Sequence, residues 1–351
     1  MFVRLNGRPR DTGRDDVPRL VRSAPPRSRR IGPMTTCCAR SRRNTARVHA
    51  ARGSGLKKLA PAVALLATSL AAQGPSTIPA RVPDRLIDMH VHAWQSPPRS
   101  ESFKQSLLEA FTAFHLERAV VSGPAAIAVA AAELAPGTLL VGVADGAGSS
   151  LPSRAEFATS VQRHRIAVLG ELDGAWDGVP LTAPRLEHYL TVAEKSGMPV
   201  AVFTGVAPPG TVKRYPNYRI QLGRPAAVEP VLARHPRLRV YLMQAGWPFL
   251  VDTIALMHIH PDVYADIGNL SANPTIPVDD FYAYLGALMR AGLGKRVMFG
   301  SGLDLTEWAG GIGSMVKSIE DAPFLSPSDR DDIFFANAER FLNPGGGSAA
   351  R

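Results

Sequence analysis

The chain has 351 residues, 45% of them hydrophobic and 20% charged, which excludes a collagen-like or wholly disordered protein and leaves room for one large domain with a sizeable core. Its formal charge of +10 points at first to nucleic acid, but residues 1–73 hold 16 Lys and Arg against 3 Asp, leaving 24 against 27 Asp and Glu in the remainder. The body is therefore slightly acidic, and no nucleic-acid partner is expected for it.

Residues 1–58 form a basic leader rich in Arg, Pro and Ser, without apolar periodicity, and read as disordered. Met34 offers a second start within it. The leader also holds both cysteines, Cys37 and Cys38, so the body has neither a disulfide framework nor thiolate chemistry. Residues 59–73 follow Lys57 and Lys58 as an apolar core of secretory length ending in small residues, and Ser69-Leu70-Ala71 fits a small-x-small cleavage pattern. The segment reads as a signal peptide, with an ordinary hydrophobic helix as the alternative. It is too short for a membrane span, which takes about 20 residues. The expectation is an exported protein, periplasmic or extracellular, with no stable span after cleavage and a linker at 74–84.

The first strand of the body, near Arg85 to Trp94, ends in His90-Val91-His92. Side chains at i and i+2 of a strand share a face, so two imidazoles can meet one point in space, as metal ligands do. Paired histidines of this kind also occur on linkers and in satisfied cores, so the motif alone is weak.

Strand-like and helical runs then alternate: a helix from Glu101 to Leu116 with His115 structural at its end, a strand at 118–121, an Ala-rich helix at 124–134 and a strand at 139–143. A helix at 154–164 leads to a strand at 166–169 that delivers Glu171, and a helix at 184–196 to a strand at 199–203. Further strands fall at 238–243, 263–266 and 296–299. The helices between them lie near 225–234, 247–258 and 278–291, and the last near 312–320 and 326–342. Eight strands in this alternation predict βαβ units closed into an α/β (β/α)8 TIM barrel over 85–343, with a disordered tail at 344–351. His258 and His260 form a second H-x-H, but at a helix end, where i and i+2 do not share a face.

Ile87-Asp88-Met89-His90-Val91-His92 resembles the first-strand signature of the amidohydrolase superfamily, in its amidohydrolase-related branch of metal-dependent hydrolases and decarboxylases. Gly170-Glu171-Leu172, Pro199 to Gly205, Val240 to Pro248, Val263 to Gly268 and Val297 to Ser301 follow in the same order, as do Ala322 to Leu325 and Asn337 to Leu342. The resemblance implies the metal-dependent hydrolase type of barrel, with a small-molecule substrate cleaved at a C–N or C–O bond, or decarboxylated, through a metal-activated water. It also implies metal ligands on strands one, four, five, six and eight, the strand-eight aspartate handling the proton.

The site departs from that pattern at three places. Phe203 stands at the histidine position of strand five, Gln244 at that of strand six, and Gly302 at the aspartate position after strand eight. What survives is a reduced set of metal ligands, His90, His92 and Glu171, for at most one divalent ion (Zn, Mn or Fe) held weakly, or none. Asp304 is the replacement candidate for the lost carboxylate and, with Glu171, for catalysis; a solvated loop acid is its alternative, a structural carboxylate that of Glu171. His90 and His92 would otherwise be neutral imidazoles bonded to each other or to water. Trp176, Tyr218, Arg219 and Trp247 are the substrate-binding candidates, and Asp266 ends strand seven facing the mouth without an expected ligand role. Restoring Phe203→His, Gln244→His and Gly302→Asp together is expected to rebuild the ion site, with a positive φ at Gly302 as the obstacle. The competing reading is a non-catalytic barrel kept for binding or assembly, and a homo-oligomer is compatible with either.

Overall fold

The computed structural model describes residues 79–146 and 149–344. The leader, the signal-like segment, most of the linker and the tail from 345 onward lie outside the described residues. Among the described residues no helix is long and apolar enough to cross a membrane.

Eight strands were expected and appear: β1 (Leu86–His92), β2 (Leu116–Gly123), β3 (Leu139–Gly146), β4 (Val168–Asp173), β5 (Val200–Phe203), β6 (Val240–Met243), β7 (Tyr264–Asp266) and β8 (Val297–Met298). A ninth, β9 (Leu303–Asp304), pairs with β1. All ladders are parallel, in the order β8-β7-β6-β5-β4-β3-β2-β1-β9. The run leaving β8 closes the ring along β1: Met89 N donates to Phe299 O at 3.0 Å, Gly302 N to His90 O at 2.7 Å and Leu305 N to His92 O at 2.8 Å. The protein is a (β/α)8 barrel.

Parallel strands between two layers are buried on both faces, which is why they read as near-continuous apolar runs. The inward residues Ile87, Met89, Val120, Val168, Ala201 and Tyr241 fill the barrel, and Ala338 and Phe341 pack against them. Tyr241 ties this interior across the ring by donating to Met89 O at 3.1 Å. Outward residues such as Val200, Val202, Val240 and Leu242 meet the helices.

The outer ring comprises α1 (Glu101–Ala113), α2 (Ala125–Ala132), α3 (Arg154–Gln162), α4 (Gly174–Asp177), α5 (Glu187–Ser196), α6 (Thr211–Arg214), α7 (Glu229–Arg234), α8 (Leu250–Ile259), α9 (Val278–Arg290), α10 (Trp308–Glu320), α11 (Pro327–Asp331) and α12 (Asn337–Leu342). Several start at side-chain caps legible in the sequence: Ser100 opens α1, and capping boxes of Ser153 with Glu156 and Ser326 with Asp329 open α3 and α11. The short α4 and α6 lie in loops after β4 and β5, where no helix was expected. The single helix expected over 326–342 is divided, because Asp332–Ala336 forms a π-turn between α11 and α12. The wider turn leaves Ile333 O to accept from Phe299 N at 2.7 Å, joining the C-terminal segment to the strand-eight run.

Asp88 anchors β1 from the helix side. It is fully buried, its Oδ1 accepts from the backbone of His90 and Ser301, and its Oδ2 accepts from Trp308 Nε1 at 2.9 Å. Trp308, also fully buried, packs edge-on against Phe111 and Phe114. Trp308→Ala is expected to destabilise by about 3–5 kcal/mol through the cavity left behind. Trp308→Phe should cost roughly 1–3 kcal/mol, chiefly by leaving a buried carboxylate oxygen without its donor. Urea unfolding midpoints of the two variants measure both effects.

Candidate metal centre

Two bulges aim the polar residues of the site. Along β1, Leu86 and Val91 both belong to the helix-facing core although they are five residues apart, an odd spacing that simple alternation forbids. The pairing explains it: Asp88 matches Ala119 and Val91 matches Val121, so β1 spends one residue more than β2. The extra residue turns His90 and His92 inward, in continuation of Met89. On β4 the same device appears between Leu169 and Leu172, which match Val200 and Val202 of β5, and it brings Glu171 inward. A bulge re-aims side chains in this way and locates them at a strand's functional end.

The two imidazoles then face each other, with Nε2 to Nε2 at 3.1 Å. Two lone pairs cannot oppose one another at that distance; a proton or a cation must lie between them. Around a tetrahedral zinc ion, nitrogens at the usual bond length sit about 3.3 Å apart, so little movement is needed to admit one. Glu171 completes the group: one donor atom each from His90, His92 and Glu171 lies within 4.8 Å of the others. His92 Nδ1 and Glu171 Oε2, 3.5 Å apart, are both buried without a hydrogen-bond partner. Uncompensated buried polar atoms of this kind are rare and ask for an occupant.

Asp266, at the end of β7, holds His90 from behind. Its Oδ1 lies 3.0 Å from His90 Nδ1 and also accepts from Gly268 N at 2.7 Å and Gln244 N at 3.3 Å. A carboxylate on Nδ1 fixes the tautomer and leaves Nε2 for the ion. Burial pulls the His90 imidazole down, but the charge and hydrogen bond of Asp266, with Glu171 and Asp88, outweigh it and the net shift is upward. Burial and the neighbouring His90 push His92 well down. Burial raises Glu171 to about 7, with His90 pulling the other way and Asp266 adding to the rise. Asp173, two residues further on the same strand, is driven well up by burial and by Glu171, Asp177 and Asp145. The ring of His90 fits because glycines flank it: a Cβ at Gly268 would lie 2.4 Å from Nδ1, and one at Gly300 2.7 Å from the His90 Cβ.

His92 and Glu171 open into a cavity of about 900 Å³ walled by Trp94, Asp173, Trp176, Phe203, Gln244 and Trp247 among others. Of the substrate-binding candidates, Trp176 and Trp247 line it. Tyr218 backs Trp176 with ring centroids 6.0 Å apart, and Arg219 turns its guanidinium onto the Pro216 and Tyr218 carbonyls.

The amidohydrolase family model matches residues 87–343, most of the chain. The chain belongs to the amidohydrolase family. Among solved structures it is similar to an uncharacterised TIM-barrel protein from Bordetella bronchiseptica, at 18% identity over 75% of this chain and 100% of that one, TM-score 0.54. It is also similar to a probable 2-pyrone-4,6-dicarboxylic acid hydrolase from Acinetobacter baumannii with citric acid bound, at 14% identity over 74% and 99%, TM-score 0.53. A third is a dihydroxybenzoic acid decarboxylase from a Polaromonas species with bound manganese and the inhibitor 2-nitroresorcinol, at 10% identity over 74% and 97%, TM-score 0.50. At these identities the likeness is one of fold. No curated protein matches the sequence.

Phe203 and Gln244, which the resemblance sets at the histidine positions, both line the cavity wall. Gly302 has φ +70, and a Cβ built on it would meet the Asn269 side chain at 2.5 Å and the Asn269 backbone N at 2.6 Å. A carboxylate at Gly302 would therefore have no room, because Asn269 fills that space. Asp304 does not join the histidines. Its Oδ1 accepts from Thr306 N at 3.0 Å and Thr306 Oγ1 at 2.7 Å, and its Oδ2 from Trp94 N at 3.4 Å, so it closes its own turn. His258 ends on the exposed face of α8, and His260 caps that helix. Sequence reasoning passed over Asp173 and Asn269 and gave Asp266 no role at the ion. The signal for Asp173 was its i+2 spacing from Glu171 at a strand's mouth.

Proposed function

We propose that the protein is an enzyme of the amidohydrolase family that uses a single divalent ion to hydrolyse a C–N or C–O bond of a small molecule, or to decarboxylate one. The observation that carries this reading is the opposed pair of Nε2 atoms at 3.1 Å beside Glu171, set in the wall of the cavity. The donor set fits the ion: two imidazoles and a carboxylate, with a polar atom of His92 and one of Glu171 buried without a partner. Zinc, manganese or iron suits such a set. The ion, when bound, supplies Lewis-acid polarisation of a substrate oxygen.

The chain's own residues do the rest. Asp266 keeps the His90 tautomer that presents Nε2. The Glu171 oxygen that does not meet the ion is the atom at which a proton can be held next to the reacting group. Trp94, Trp176, Phe203 and Trp247 narrow the cavity with apolar surface, which orients a small ligand and excludes water. The test is turnover of a panel of esters, lactones, amides and hydroxybenzoates, with zinc or manganese added. Turnover of at least one class, abolished by chelator and by His92→Ala, is expected. Turnover that persists undiminished in His92→Ala would contradict the reading.

A further inference from the structure

The cavity carries a second feature that ion binding does not use. Trp176, Phe203, Tyr215 and Asp173 share its wall. The Trp176 ring meets Phe203 at 6.2 Å and 68°, and Tyr215 at 4.8 Å and 89°, while Tyr218 stands behind at 6.0 Å and 77°. Three rings thus stand steeply across the indole plane, forming the corner of a box rather than a stack. Into the same space comes Asp173, 3% exposed, with an Oδ1 that has no hydrogen-bond partner.

Acids gather at this corner. Glu171 shares the cavity wall with Asp173, and Asp145 and Asp177 stand on the adjoining β3 and α4. The guanidinium near them, Arg185, is taken up by Asp145 at 2.7 Å. Among the described residues, Arg214 is the one Lys or Arg on the cavity wall, and its side chain sits over the Tyr215 ring with 5.5 Å to the centroid. Steeply set aromatic rings and one carboxyl oxygen without a partner suit a cation that needs few hydrogen-bond acceptors, whereas a bare metal ion would lack donor atoms here. Trp176 Nε1 is also buried without an acceptor, so the guest should carry an oxygen close to its charge.

We propose that this corner is a subsite for an alkylated ammonium group, and that the small molecule taken by the cavity is an organic cation with a nearby oxygen acceptor. The assignment rests on the cavity being the substrate site, but not on the ion being bound.

The experiment titrates the full-length protein with choline and with its neutral isostere 3,3-dimethylbutan-1-ol, following tryptophan fluorescence and heat. The two probes differ only in nitrogen for carbon at the branch point. Choline is expected to bind roughly tenfold or more tighter than the alcohol, as cation–π and carboxylate contacts in a desolvated corner allow. Trp176→Leu and Asp173→Asn should each remove most of that preference while changing alcohol binding less than about twofold. Chelator-treated wild-type protein should keep the preference, so failure of the metal reading is separable from failure of this one. Equal binding of the two probes by the wild type would mean a merely apolar pocket and overturn the proposal. Absence of saturable choline binding would overturn it, as would tighter binding of benzoate lost in Arg214→Gln, the mark of an anion site.

Discussion

Gly302→Asp, the substitution that would write the lost strand-eight carboxylate back into the sequence, is expected to destabilise the protein by about 3–5 kcal/mol instead of strengthening the site. The reason is local. Gly302 holds φ +70, a region in which a side chain is strained, and its Cβ would overlap both the amide and the backbone nitrogen of Asn269. Asn269 is itself in the left-handed region, at φ 58, and its backbone is tied to Ser301 O at 3.3 Å, so it has little freedom to withdraw. Gly302→Ala should show most of the loss without any new charge. The double variant Asn269→Gly with Gly302→Asp should recover part of it, a coupling that additive, independent sites would not give. Thermal and urea unfolding of the three variants measure this. A Gly302→Asp protein as stable as wild type would show that the contact with Asn269 is readily relieved.

The opposite outcome is expected of Phe203→His combined with Gln244→His. Both positions line the cavity that His92 and Glu171 open into, and both already carry a side chain, Gln244 at φ 59. A four-ligand zinc site supplies about 10–16 kcal/mol, or roughly 3 kcal/mol per ligand, so each imidazole that reaches the ion should tighten zinc binding about a hundredfold. Loss of the Phe203 ring costs at most about 3–5 kcal/mol, and less where imidazole and ion refill the space. Calorimetric zinc titration of the two single variants and the pair decides the point. No gain in a folded double variant would show that these residues do not converge on His90 and His92.

Much of this was legible in the sequence because it depends on periodicity and chain order. Parallel strands buried on both faces give apolar runs such as Val200-Ala201-Val202, and their alternation with helices specifies the barrel. The likeness of Ile87 to His92 to a first-strand signature drew attention to the end of the barrel where His90, His92 and Glu171 meet. What period-2 reasoning could not show is that two strands break their own rule. Strict alternation from Ile87 and Met89 would send His90 and His92 outward with Leu86, and alternation from Val168 would do the same to Glu171. The bulges that reverse this are read only in the pairing with β2 and β5. Residues whose role depends on contacts between distant loops were hidden for a similar reason. Asp266 reaches His90 across 176 residues, and Asn269 fills the space at Gly302 from the neighbouring loop. Asp304 and Arg219 show the converse: expected near the mouth from chain order, they use hydrogen bonds on their own turns.

The central claim, one divalent ion held by His90, His92 and Glu171, is tested most directly by calorimetric titration of zinc and of manganese into the chelator-stripped protein, beside His92→Ala. One equivalent per chain is expected in the wild type, and none at the same concentrations in His92→Ala, since removing one of three ligands forfeits roughly a hundredfold in affinity. Two equivalents in the wild type, or unchanged uptake in His92→Ala, would contradict the account.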